Sequence, residues 1–145
     1  MTFEEIDSIL NKKSGLLGIS EKYSDHRDIE AGIDSGDKQC KLADKVYIDR
    51  IVKYISEYYV ELEGKVDAIV LTAGTGENAR DVRKDIIDKL NCLGIYLDRD
   101  KNSKIASFLD VKEGLISTAD SKVPVYVIPT DEEVVIARDA YNFAK

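Results

Sequence analysis

The segment Val66-Asp67-Ala68-Ile69-Val70-Leu71-Thr72-Ala73-Gly74-Thr75-Gly76-Glu77-Asn78 brings an apolar run, two glycines, an amide and a charged stretch together. Ala68 to Leu71 is unbroken by polar residues, which predicts a strand buried on both faces inside a parallel sheet. Gly74 and Gly76 carry no Cβ, so the backbone there can turn sharply and lie against a ligand. Asn78 or Glu77 is expected to open a helix whose free N–H groups face the same space. Strand, glycine turn and helix start are the parts of a nucleotide or phosphate pocket. The plain alternative is a tight turn that binds nothing. No Lys-Ser or Lys-Thr follows the glycines, so this is not a Walker A loop. Gly74, Gly76 and Ala79 also fit the looser G-x-G-x-x-A pattern of dinucleotide sites, with Asp98 as its acidic residue after a second strand at residues 94–97.

These residues need a scaffold, and the chain bounds it. The 145 residues are 43% hydrophobic and 34% charged, with two prolines and a formal net charge of −7. That is the composition and size of about one soluble globular domain. An acidic chain without a Lys/Arg cluster argues against nucleic acid as a partner but not against a nucleotide, which needs only a local pocket. No run is apolar enough to cross a membrane and no signal-peptide pattern is present. Cys40 and Cys92 lack CxxC spacing and read as free thiols of a cytoplasmic protein.

Along the chain, Thr2 and Glu5 make a capping box for a helix carrying Phe3, Ile6, Ile9 and Leu10, with Gly15 ending it. Leu16 to Ile19 is a glycine-broken apolar piece, Ser24 is placed to cap a short helix to Ala31, and residues 32–38 form a polar turn. A long helix over residues 39–62 presents Leu42, Val46, Ile51, Ile55, Tyr58, Tyr59 and Leu62 as an apolar stripe, and Gly64 stops it. Tyr47, Tyr54, Tyr58 and Tyr59 on it could form a stacking platform, but core and half-buried tyrosines are the simpler reading. After the glycine turn, a helix over residues 78–90 faces Val82, Ile86, Ile87 and Leu90 inward. Residues 94–98 and 115–118 read as short strands, 101–104 as a polar loop, and 123–130 as a second apolar strand with Pro129 at its end. Asp131 caps a final helix carrying Val134, Val135, Ala140, Tyr141 and Phe143. The order α-α-β-α-β-β-β-α implies at least two parallel strands covered by helices.

Three segments together resemble the acetate kinase family. The first is Leu10-Asn11-Lys12-Lys13-Ser14-Gly15-Leu16-Leu17-Gly18-Ile19-Ser20, then Ser24-Asp25-His26-Arg27-Asp28. The second is Thr72-Ala73-Gly74-Thr75-Gly76-Glu77-Asn78 with Val82-Arg83. The third is Ile116-Ser117-Thr118, then Val127-Ile128-Pro129-Thr130-Asp131-Glu132-Glu133 and Ile136-Ala137-Arg138. A dinucleotide fold has no reason to carry the first or third. The resemblance spans the chain but only the C-terminal part of the family. It implies residues 1–145 are the nucleotide-binding part of an acetate kinase, an incomplete α/β domain of the ribonuclease-H-like, actin-like ATPase class with a mixed sheet and helices on its faces.

The family moves the γ-phosphoryl group of ATP to acetate with Mg²⁺, giving acetyl phosphate and ADP. By the resemblance, Asp25, His26 and Arg27 border the adenosine, Gly74, Thr75, Gly76 and Asn78 form the loop against ribose and phosphates, and Glu132 stands near Mg²⁺. Read alone, Asp25 and Arg27 are a solvated pair capping a short helix, and Glu132 is an acid favoured in a helix's first turn. His26 replaces a bulky apolar residue and Thr75 a commonly aliphatic one, which places the sole histidine beside adenine and outside the chemistry. The acetate pocket and the phosphoryl-clamping arginines and histidine are expected in an N-terminal part that this chain does not carry. It is therefore expected to be inactive alone, to bind acetate and acetyl phosphate only with that part, and to form a homo-oligomer. Two alternatives stand beside this: a nucleotide-binding or subunit-contact module without catalysis, and the same part of a butyrate or propionate kinase.

Overall fold

A computed structural model of the chain describes residues 1–109 and 111–144. Two compact units divide it, Met1–Gly64 and Lys65–Lys145.

The first unit is helical. Helix α1, Phe3–Lys12, starts on the expected capping box: Thr2 Oγ1 accepts from Glu5 N, and Glu5 Oε2 accepts from Thr2 N. The glycine-broken piece is itself a helix, α2 (Gly15–Ser20). Asp25, not Ser24, caps α3 (His26–Asp34), because its carboxylate takes the Arg27 N–H. The long helix α4, Lys38–Glu61, begins at Asp37, whose Oδ1 accepts from the Gln39 and Cys40 amides. It ends where Gly64, at φ +71°, sends its N–H back to Tyr59 O, a left-handed exit that glycine enters at little cost.

Helices α2 and α3 pack on α4 around Ile29, Cys40 and Ala43, with Leu16, Ile19 and Ile33 at the margin. The predicted stripe on α4 is only partly realised. Cys40, Ala43 and Ile48 are buried, whereas Leu42, Val46, Tyr58 and Leu62 are exposed. A 24-residue helix outruns the two short helices packed on it, so much of its apolar face has no cover within this unit.

The second unit holds a three-stranded sheet in the order β1-β3-β2, from β1 (Ile69–Leu71), β2 (Gly114–Leu115) and β3 (Val125–Val127). Strand β3 is central. It pairs in parallel with β1, Ile69 opposite Val125 and Leu71 opposite Val127, and antiparallel with β2, Leu115 opposite Tyr126. The expected parallel pair is thus present within a mixed sheet. Val125 and Val127 are fully buried, but Val70 is 47% exposed. β1 lies at the sheet edge among the described residues, and with Val70 exposed on one face the expectation of burial on both its faces fails.

Helices α5 (Ala73–Asn78) and α6 (Arg80–Lys89) follow β1, and a 3-10 turn, Leu90–Leu93, follows them. Val82, Ile86, Ile87 and Leu90 are buried as their spacing predicts. Residues 101–104, predicted as loop, lie in α7 (Arg99–Lys104), because Asp98 Oδ1 caps the Lys101 amide. Of the short strands expected at residues 94–98 and 115–118, Leu115 lies in β2, and Leu97 and Ser117 meet as an isolated bridge. Asp131 caps α8, Glu132–Phe143, by accepting from Val134 N at 2.9 Å. The apolar residues of α8 face no core: none of them is buried.

Candidate functional site

The glycine turn grows from the end of β1. Thr72 is extended, and Ala73 takes φ +59°, the left-handed region. For a residue with a Cβ that costs about 1–2 kcal/mol, and such strain concentrates where a backbone must be aimed. The chain enters α5 at once, so both glycines lie inside a helical turn. The sequence pattern predicts the sharp bend at Gly74 and Gly76 and the helix start at Glu77 or Asn78; the bend is at Ala73 and the helix starts there.

The two glycines then separate in role. A Cβ on Gly76 would stand 3.0 Å from the carbonyl carbon of Leu71, tighter than ordinary contact, so glycine lets α5 sit this close to β1 without displacing main chain. Gly74 is exposed, and a Cβ there would meet nothing within 4 Å. Thr75 beside it is half-buried.

Behind the turn stands Arg83, a fully buried arginine on α6. Its Nη1 donates to the carbonyls of Gly76 at 3.0 Å and Glu77 at 2.7 Å. Nη2 donates to the carbonyls of Asn102 and Ile105, and Nε to Asn102 Oδ1 at 2.7 Å. Burial, with Arg80 nearby, pushes its pKa down to about 10, so it keeps its charge at neutral pH. The carbonyl ends of α5 and α7 supply the negative potential that a carboxylate would otherwise provide. In the sequence Arg83 is one residue of the second family-like segment, with no role expected of it. Its position on the Val82, Ile86, Ile87, Leu90 stripe was the available signal.

Asn78 Oδ1 accepts from Ser107 N at 2.9 Å and from Ser107 Oγ at 2.6 Å, tying the end of α5 to the loop after α7. Glu77 is turned inward, and its Oε1 accepts from Thr130 N and Thr130 Oγ1. Glu132 is exposed in the first turn of α8. A single exposed carboxylate suits Mg²⁺, which is commonly held by one or two carboxylates with water and phosphate oxygens completing the shell.

Asp25, His26 and Arg27 belong to the first unit. Arg27 forks onto Asp25, Nε to Oδ1 at 3.0 Å and Nη2 to Oδ2 at 2.6 Å. That guanidinium, with the Arg27 amide, lowers the Asp25 carboxyl to about 2. Arg27 is otherwise open to solvent, its side chain 87% accessible. His26 Nε2 is 2.9 Å from Asp44 Oδ1, Nδ1 is 3.5 Å from Glu30 Oε1, and the ring lies against Tyr47. The Asp44 hydrogen bond raises the histidine pKa against the opposing effect of burial.

Comparison with known proteins matches residues 1–138 to a model of the acetokinase family. An acetate kinase of Streptococcus thermophilus is 54% identical over 136 residues, 94% of this chain and 32% of that protein. One from Thermotoga maritima is 50% identical over 137 residues, 94% of this chain and 33% of that protein. Among solved structures, acetate kinase of Porphyromonas gingivalis aligns at TM-score 0.85 and 39% identity, covering all of this chain and 35% of its own. A propionate kinase of Francisella tularensis aligns at TM-score 0.83 and 38% identity, over 96% of this chain and 34% of its own. The chain spans about a third of the length of the relatives it matches.

Proposed function

This chain belongs to the acetokinase family, and from that membership we propose that it forms the nucleotide-binding part of a kinase transferring the γ-phosphoryl group of ATP to acetate. In this reading Gly74, Thr75, Gly76 and Asn78 lie against ribose and phosphates. Asp25, His26 and Arg27 border the adenosine, and Glu132 would hold Mg²⁺. Mg²⁺, when bound, supplies neutralisation of the phosphate charge. The protein supplies position, which with electrostatics is most of what phosphoryl transfer asks of it.

The observation that carries the reading is the construction of the turn. A strained Ala73, a glycine whose Cβ would crowd the Leu71 main chain and a buried arginine on two consecutive carbonyls fix residues 73–78, while Gly74 stays open on the outer side. Rigid backing behind an open backbone suits close approach of a ligand. Arg27 keeps a solvent-facing guanidinium for a base or ribose.

Titration of the ¹⁵N-labelled chain with ADP or ATP tests it. Amide shifts at residues 74–78 and 25–27 are expected; shifts confined to residues 101–104, or none at millimolar nucleotide, would overturn the assignment. A coupled assay with acetate, ATP and Mg²⁺ should give no turnover from the chain alone. Adding the N-terminal two-thirds of an acetate kinase should restore it. The likeness to a propionate kinase favours a second carboxylate as acceptor, so propionate belongs in the same assay.

A further inference from the structure

We propose that Glu77 is a positioning residue: it fastens the glycine turn to the head of α8 and so sets where Glu132 stands. The proposal rests on the roles assigned above to the turn and to Glu132.

Glu77 is a carboxylate held at 8% exposure. Its main chain and side chain are fixed to different partners. The carbonyl accepts from Arg83 Nη1 at 2.7 Å, which locks it to the cage behind the turn. The carboxylate crosses to Thr130, where Oε1 accepts from the amide at 3.0 Å and from the hydroxyl at 3.2 Å. Thr130 directly precedes Asp131, the cap of α8, and Glu132 is the first residue of that helix.

The location of this tie gives it weight. α8 buries none of its residues, so packing along its length does not fix its start. Between β3 and α8, Ile128 N donates to Leu71 O, Pro129 has no N–H, and Thr130 gives its amide and hydroxyl to Glu77. The strand end and the Glu77 carboxylate therefore define where the helix begins. A nucleotide phosphate lying on the turn and a metal on Glu132 must keep a constant separation, and one side chain spans the two elements that carry them. Displacements of about an ångström at such sites are enough to cost large factors in rate.

The test uses the labelled chain with Glu77→Ala, Glu77→Gln and Thr130→Val. Amide hydrogen exchange, read without ligand, is expected to accelerate about tenfold at Thr130 and Val134 in Glu77→Ala, the size set by losing a buried charge-assisted hydrogen bond. The amides of residues 74–78 should shift with it, while Ile86, Ile87 and Val125 keep their protection. Glu77→Gln retains an acceptor oxygen and should return exchange to within about threefold of the parent. Thr130→Val loses only the hydroxyl donor and should fall between. Should Glu77→Ala not fold, the Thr130→Val and Glu77→Gln profiles decide alone.

With nucleotide, Glu77→Ala should lose the strengthening of ATP binding by Mg²⁺, whatever its metal-free affinity. Glu132→Gln should show the same loss, and the double variant no more than either. Unchanged exchange at Thr130 and Val134, or equal acceleration at Val125 and Ile87, would overturn the proposal by making Glu77 irrelevant or merely structural. Absence of any nucleotide shift in the parent chain would instead sink the binding reading, with the exchange profile still deciding the tie.

Discussion

Arg83 Nη1 lies 3.0 Å from the carbonyl oxygen of Gly76, so a charge wholly out of solvent holds the inner side of the turn whose outer side is open at Gly74. Arg83→Met strands the carbonyls of Gly76, Glu77, Asn102 and Ile105. Each buried orphan acceptor costs about 1–3 kcal/mol, with partial relief from entering water. A net loss of about 3–4 kcal/mol in the unfolding free energy of the second unit is expected. Arg83→Lys, with fewer donors and no fork, should recover only part of it. Chemical denaturation measures both, and a loss below about 1 kcal/mol for Met would show that the cage relaxes without it.

The two turn glycines should respond oppositely to alanine. Gly76→Ala places a methyl 3.0 Å from main-chain carbon, which cannot swing away, and should destabilise by about 1–3 kcal/mol. Gly74→Ala meets nothing within 4 Å and should leave stability unchanged or raise it slightly, because alanine favours a helical turn. Nucleotide-induced shifts should nevertheless weaken in Gly74→Ala. Equal melting temperatures for the two variants would contradict the packing described.

Ala73 holds a left-handed φ of +59°. Ala73→Gly removes that strain but loosens the unfolded chain, effects of about 1–2 and about 0.4–1 kcal/mol respectively. The variant should be neutral to stabilised by about 1 kcal/mol. A clear loss of stability would mean that the Ala73 methyl makes a contact worth more than the strain.

His26 gives unit 1 a pH dependence. Its folded pKa lies above its ordinary 6.5, chiefly through the Asp44 hydrogen bond. Below about pH 6.5 both folded and unfolded forms are protonated and the gain is complete; it is lost as pH rises through the elevated folded value. The first unit should therefore resist urea better at about pH 6 than at about pH 8. Asp44→Asn should flatten the difference and lower the NMR titration midpoint of the ring. A midpoint that does not respond to Asp44→Asn would remove this coupling.

The isolated chain should self-associate. Val134, Val135, Ile136, Tyr141 and Phe143 on α8 are exposed, as is Val70 on the edge strand β1. Apolar surface of that kind and unpaired strand edges draw partners. Sedimentation equilibrium should show mass rising with concentration, and Ile136→Lys should reduce it; a monomer at all concentrations would mean that these side chains tolerate water.

What could be read in the residues was local. The Thr2–Glu5 capping box, the Asp131 cap, the extent of α4 and the inward face Val82-Ile86-Ile87-Leu90 depend on neighbours a few positions apart, where hydrogen bonding and periodicity act directly. The parallel pairing of β1 with β3 followed from two apolar runs separated by helices. The proposed site residues rest on the three family-like segments and not on any local pattern.

Tertiary structure decided the rest. The bend lies at Ala73, and Gly76 packs against Leu71, a steric relationship invisible before β1 and α5 meet. Arg83 and Glu77 are charged, and sequence logic sends charges to the surface. Acceptors at Asn102 and Ile105 for one, and donors at Thr130 for the other, made burial possible. Those partners lie 19 to 53 residues away, and a buried charge is tolerated only when such groups converge on it.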